Sequence, residues 1–110
     1  MILTCARNNI EIAKDAKLCI GFFDRLLGLI NPENPRNLVF CTHFGIHTFF
    51  LVKSIDVIVL DRYDTVRVLR ESLGPYRFCF YNPLYSKVIE LPRNTIRRVH
   101  LSLGDKILFA

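Results

Sequence analysis

Among the ten acids and three histidines of the 110-residue sequence, His47, Asp56 and Glu90 are the three that could make a site for proton transfer or metal binding. Two carboxylates beside an imidazole could shuttle protons or hold a divalent ion through their oxygens. Their spacing puts no two of them on one local element, so any such site requires the fold to bring them within about 6 Å of one another. Asp56 is the most conspicuous. It stands between Ile55 and Val57 in HTFFLVKSIDVIVLD, residues 47 to 61, which is otherwise almost entirely apolar. A carboxylate in a core strand must accept hydrogen bonds or meet a cation. The candidate partners are backbone amides of a neighbouring turn, Lys53, or Arg25. Two roles follow: a carboxylate that pins a strand start or loop, or an acid that anchors a ligand in a cleft.

His47 invites a metal reading together with Cys41 and His43. Extended backbone argues against it, because positions 43 and 47 then share a face at a separation of about 13 Å, too far for one ion. No metal and no cofactor is expected. A histidine bonded to backbone is the plain expectation. Glu90, in VIEL, alternates with Ile89 and Leu91 and has Arg67 or Lys87 as cross-strand partners in prospect. The four cysteines, Cys5, Cys19, Cys41 and Cys79, include no close pair and read as reduced, largely buried thiols. GxGxxG, GxxxxGK, GxSxG and HExxH are all absent from the sequence, which counts against several common enzyme classes and leaves unusual ones open.

A second constellation is basic. PRNTIRRVH, residues 92 to 100, holds Arg93, Arg97 and Arg98, and guanidinium groups suit phosphate and carboxylate. Tyr76, Phe78 and Tyr81 lie near enough in sequence to suggest base stacking, although aromatics at alternate positions of RFCFY are more often core and lining. The net charge is +5, and between Arg67 and Arg98 seven basic residues face only Glu71 and Glu90. Such an excess steers anionic partners without identifying one.

The elements that must position these groups are mostly strands. Residues 2 to 13 alternate imperfectly, with a short edge strand around Glu11 to Ala13. In AKLCIGFFDRLLGLI, Phe22, Phe23, Leu26, Leu27 and Ile30 recur at three and four, which predicts a short helix near residues 20–29, ended by NPENP. Strand signals follow in NLVFC, IDVIVLD, TVRVLRE, RFCFY, SKVIELP and the Ile107–Phe109 terminus. A period near two over residues 65 to 69 predicts one dry and one wet face. RYD at 62–64, Gly74–Pro75 and Gly104–Asp105 supply turns. With 51% hydrophobic content, 110 residues support one core, so residues 1–110 form a single domain. No secretory leader and no run of about 20 apolar residues is evident, which points to a cytoplasmic protein off the membrane, a monomer or weak dimer.

Four segments together resemble the DUF192, or UPF0127, family of small β-rich proteins whose role is not established. They are RLLGL at Arg25–Leu29, residues 46 to 61, VIELP at Val88–Pro92, and LGDKI at Leu103–Ile107. The family commonly has Met, Pro, Gly and Gly where this chain has Leu51, Ser54, Asp64 and Asn94. Asp and Asn tolerate left-handed backbone, so Asp64 and Asn94 preserve those turns. The resemblance implies a compact antiparallel β fold with a small helical insertion, and it implies no catalytic mechanism.

The expectation is therefore a mostly β, antiparallel, barrel-like or sandwich-like domain with one short helix. Its expected role is a binding or accessory module with a polar cleft around Asp56 and His47, lined also by Lys53, Glu90 and Arg25, for a small or anionic ligand. The alternatives are a hydrolase-like or metal-assisted enzyme using Asp56, Glu90 and His47, and an anion or nucleic-acid binder using Arg93, Arg97 and Arg98.

Overall fold

The computed structural model describes residues 1–18, 37–41, 46–47, 54–74, 77–85 and 87–110. The helix expected near residues 20–29 lies outside the described residues, as do Arg25, Lys53 and Tyr76. Ten strands and one helical turn are described: β1 Leu3–Cys5, β2 Glu11–Ala13, β3 Lys17–Leu18, β4 Leu38–Cys41, β5 Ile46–His47, β6 Ile55–Leu60, β7 Val66–Leu73, β8 Phe78–Cys79, β9 Lys87–Pro92, α1 Thr95–Arg98 and β10 Ile107–Phe109. The radius of gyration, 12.7 Å, is close to the roughly 13 Å of a folded chain of this length.

Two sheets pack face to face. The larger runs β3-β4-β9-β6-β7, antiparallel except for the parallel β3–β4 pair; the smaller runs β10-β1-β2. A two-stranded ribbon pairs β5 with β8. The fold is sandwich-like and not a closed barrel. One corner is stitched: Thr65 bridges Lys106, and the Val66 and Ile107 amides donate to the Asp105 and Asp64 carbonyls.

The central strands explain the sequence's long apolar run. Ile58 and Leu60 of β6 join Ile89 and Leu91 of β9 in a core against the small sheet, which contributes Leu3, Cys5 and Ile107. Ile55, Val57 and Val59 point the other way, into a second core with Leu38, Phe40, Val88 and Cys79. Strands buried on both faces need apolar residues at every position rather than every second one. All six residues of β6 are buried, Asp56 included.

β7 is an edge strand and departs from the regular alternation expected of it. Leu60 pairs with Val66 but Val59 with Val68, so Arg67 is an extra residue; a second extra residue falls where Val57 pairs with Arg70 and Ile55 with Leu73. The first bulge flips the face, sending Val66 into the first core and Val68 toward the second. The expected single dry face over residues 65–69 is thus replaced by two. Bulges and exposed charges at Arg67, Arg70 and Glu71 also protect this edge from pairing with another chain. Of the thiols, Cys5 and Cys79 are buried but Cys41, at the end of β4, is exposed.

Buried carboxylates fasten the turns. In the β6–β7 hairpin, Asp61 accepts from the Tyr63 and Thr65 amides and from Arg67 Nε, at 2.8, 3.1 and 2.9 Å. Asp64 closes the turn in left-handed backbone at φ 62°, as the sequence anticipated. In the turn before β10, Gly104 takes φ 91°, a conformation that side chains resist. There Asp105 accepts from the Ser102 amide at 2.8 Å and from Arg7 at 2.7 and 3.2 Å. The hydrogen bond from Arg7 outweighs the cost of burial and holds the Asp105 carboxyl below its ordinary pKa.

A depressed native pKa contributes stability above the unfolded value, near 4, and loses it as pH falls through the native value. Asp105→Asn is therefore expected to lower stability at neutral pH by about 1–2 kcal/mol, since the ion pair is partly exposed. Urea denaturation should show that deficit shrinking below about pH 4, as the wild-type carboxyl takes up its proton.

Candidate functional site

Asp56 answers the question its position raises. Its neighbours Ile55 and Val57 occupy the second core, so its own side chain projects toward the first, and it has 0% exposure. One carboxylate oxygen accepts from the Ser72 amide and the other from the Ile96 amide, each at 2.9 Å. Both donors are backbone amides that need a partner for a local reason. Ser72 sits at the second bulge of β7, with φ 52°, where the regular ladder is interrupted. Ile96 is the second residue of α1, and the first turn of a helix has amides without intrahelical acceptors.

A helix ordinarily takes such a bond from its own N-cap side chain. Here the N-cap is Asn94, in left-handed backbone at φ 73°, and its side chain makes no capping bond. Asp56, 40 residues away, supplies the cap instead. Thr95 completes the turn by donating its hydroxyl to the Pro92 carbonyl at 2.6 Å. One buried acid thus joins the edge strand and the helical turn.

Those two elements are the walls of a recess of about 410 Å³. Leu69 and Glu71 of β7 line one side, and Ile96 and Arg97 of α1 line the other. His100, Leu101 and Ser102 close the end. The floor is apolar: Ile96 and Leu101 belong to the first core and Leu69 packs against it. The rim is charged. Arg97 Nε lies 3.9 Å from Glu71 Oε1, with side-chain exposures of 79% and 47%. His100 adopts φ 56°, and its carbonyl accepts from Arg7 Nη2 at 2.6 Å while its amide donates to the Arg97 carbonyl at 3.2 Å. The loop that carries the rim is therefore tied back to the turn fastened by Asp105.

The remaining candidates lie elsewhere. Glu90 is fully buried, but it pairs in register with Val57 and alternates with Ile89 and Leu91, so it projects toward the second core. Asp56 pairs with Leu91 and projects toward the first. Adjacent as their backbones are, the two carboxylates stand on opposite faces of one sheet and do not form an acid–base pair. His47 pairs with Phe78 in the ribbon whose Cys79 packs into the second core. No cluster of three or more His, Cys, Asp or Glu capable of holding a metal occurs among the described residues.

The arginines of residues 92–100 diverge. Arg97 turns toward Glu71, Arg98 donates to the Ile12 carbonyl at 3.1 Å in the smaller sheet, and Arg93 is exposed in the turn before α1. In RFCFY the inward residue is Cys79. Phe78 and Phe80 stack at 5.5 Å with Phe80 71% exposed, contrary to a core reading of those rings, whereas Tyr81 packs against the second core. Burial pushes the Cys79 thiol above its ordinary pKa, with nearby Arg70 opposing, so it is a poor nucleophile.

Of the recess, the sequence singled out Arg97 alone. Ile96, His100, Leu101 and Ser102 escaped because α1 spans four residues, too few for a helical period, and Leu69 and Glu71 because they come from a strand distant in sequence. The available signal was Asn94–Thr95 after a proline, a helix start without the following amphipathic run.

Fold and site together define a small antiparallel β-sandwich with a buried strut beside an open recess. Three curated relatives share its sequence. A UPF0127 protein of Pyrococcus horikoshii is 31% identical over 106 residues, covering 90% of each chain. One of Thermococcus sibiricus is 34% identical over 98 residues, 83% of this chain but only 63% of that protein. One of Pyrococcus abyssi is 33% identical over 93 residues, 79% of each chain. The chain belongs to the UPF0127 family. No family model matches it. Among solved structures, a protein of unknown function from Novosphingobium aromaticivorans superposes with a TM-score of 0.81 at 14% identity, over 98% of this chain and 84% of that one. A chain from Sinorhizobium meliloti gives 0.77 at 17% identity, over 97% and 89%. These likenesses establish the shared fold.

Asp56→Ala removes the acceptor of one buried amide, Ile96, and of one part-buried amide, Ser72. The expected loss is about 3 kcal/mol, with Asp56→Asn nearly as costly because its amide nitrogen meets a donor. Chemical denaturation measures the loss, and hydrogen exchange should quicken first at the Ser72 and Ile96 amides.

Proposed function

We propose that this protein is a non-enzymatic binding or accessory module whose ligand site is the recess between β7 and α1. The observation that carries this reading is the pairing of an apolar floor with a charged, solvent-reachable rim in one concavity of about 410 Å³. Volumes of roughly 300–1,000 Å³ are usual for small-molecule sites. Asp56 takes part as a positioning residue: it fixes the separation of the walls through Ser72 and Ile96 and touches no ligand itself. The proposed site neighbours the polar cleft expected around Asp56 and His47 and is built on the same carboxylate.

Acid–base chemistry in the recess has little support. Its acid, Glu71, and its imidazole, His100, are exposed on an open rim, where water competes with a substrate for both. The basic tract contributes Arg97 to this site, while Arg98 serves the fold.

Titrating isotope-labelled protein with a mixture of aliphatic acids, amines and amino acids tests the proposal. Amide shifts should concentrate at Glu71, Ile96, Arg97 and Leu101. Filling the floor with Leu69→Trp should abolish them while leaving the rest of the spectrum in place. Shifts confined to another surface, or none, would overturn the assignment.

A further inference from the structure

Resting on the recess as the ligand site, we infer that its ligand is a small zwitterion bearing an apolar group, the chemistry of a free apolar α-amino acid. The recess presents opposite charges on facing walls, Glu71 from β7 and Arg97 from α1. At 3.9 Å and largely in solvent, this ion pair contributes little, so parting it costs little. A ligand that separates the two side chains must nevertheless satisfy both.

A plain anion satisfies Arg97 but brings a second negative charge beside Glu71. A plain cation meets the reverse conflict with Arg97. A zwitterion gives its carboxylate to the guanidinium and its ammonium to the glutamate, and each new contact replaces the one lost. Like-charge juxtaposition is an effective way for a site to reject the wrong partner. The recess therefore selects against single charges even though the protein as a whole carries a net charge of +5.

The apolar floor sets the rest of the ligand. Half-buried Leu69, with the little-exposed Ile96 and Leu101, lines the recess and offers a small apolar surface to a short aliphatic group. Covering that surface favours a ligand that carries such a group over one that lacks it. His100 stands at the mouth in a left-handed conformation fixed by Arg7 and by the Arg97 carbonyl, so the loop carrying Leu101 is already in place before a ligand arrives. Preorganisation of this kind lowers the ordering cost of binding.

The test compares three probes of one shape: L-leucine, 4-methylpentanoate, which lacks its ammonium, and 3-methylbutylamine, which lacks its carboxylate. Leucine should shift the Glu71, Ile96, Arg97 and Leu101 amides and bind about tenfold more tightly than either single-charge probe. Arg97→Gln and Glu71→Gln lie on the surface and should fold normally. Each should weaken leucine about tenfold, Glu71→Gln should strengthen 4-methylpentanoate, and Arg97→Gln should strengthen the amine. If 4-methylpentanoate or the amine binds the wild type as tightly as leucine, the zwitterion assignment falls while the recess stands as a site. If no probe shifts these amides, both readings fall.

Discussion

A single carboxylate accepting two backbone amides, one from a bulge and one from a helical turn, is the constraint on which the rest of this structure hangs. Neither amide has a partner within its own element. The bulge at Ser72 displaces an N–H from the β6–β7 ladder, and α1 begins at an asparagine whose side chain does not cap it. Burying either amide without an acceptor would cost roughly 1–3 kcal/mol. Asp56 resolves both with its two oxygens at 2.9 Å. The carboxylate is itself safe to bury because both oxygens are engaged by dipoles aimed at them, with no counter-ion required.

The same arrangement relates the acid to its apolar setting. β6 and β9 lie at the centre of the larger sheet, covered on one face by the smaller sheet and α1 and on the other by the second core. In such strands every position is interior, so a polar residue on either face must be buried. Asp56 and Glu90 illustrate the two faces. They are one residue out of register on neighbouring strands and project in opposite directions, which is the period-two rule acting across a pair. Chemistry that needs two carboxylates side by side requires them on one face, and this sheet separates them.

How much of this could be read beforehand follows from the same physics. The strands Glu11–Ala13, Leu38–Cys41, Ile55–Leu60 and Ile107–Phe109 fall where alternation and β-branching placed them, because those signals are local. Asp64 and Asn94 take the left-handed backbone their side chains tolerate, at φ 62° and 73°. The demand that Asp56 find donors was legible, since it follows from burial alone. The identity of the donors was not. Ser72 offers its amide because of a bulge, and a bulge is set by pairing with another strand rather than by the sequence around it. The reversal of Val66 and Val68 has the same origin. The recess was hidden for a further reason: its walls come from positions 69–71 and 96–102, brought together by Asp56 from a third element.

Charge at the level of the whole chain and charge at the recess point in different directions, and the difference is one of range. A net +5 acts over a Debye length, about 8 Å at physiological salt, and raises the concentration of any anion near the surface. Within the recess the contacting groups decide, and these are one guanidinium and one carboxylate on opposite walls. The side chains themselves can part, but the backbone behind Glu71 and the backbone behind Arg97 are held by neighbouring amides on the same buried acid. A strut inside the core therefore sets how far apart the two walls stand. A residue with no exposure in this way shapes the surface above it.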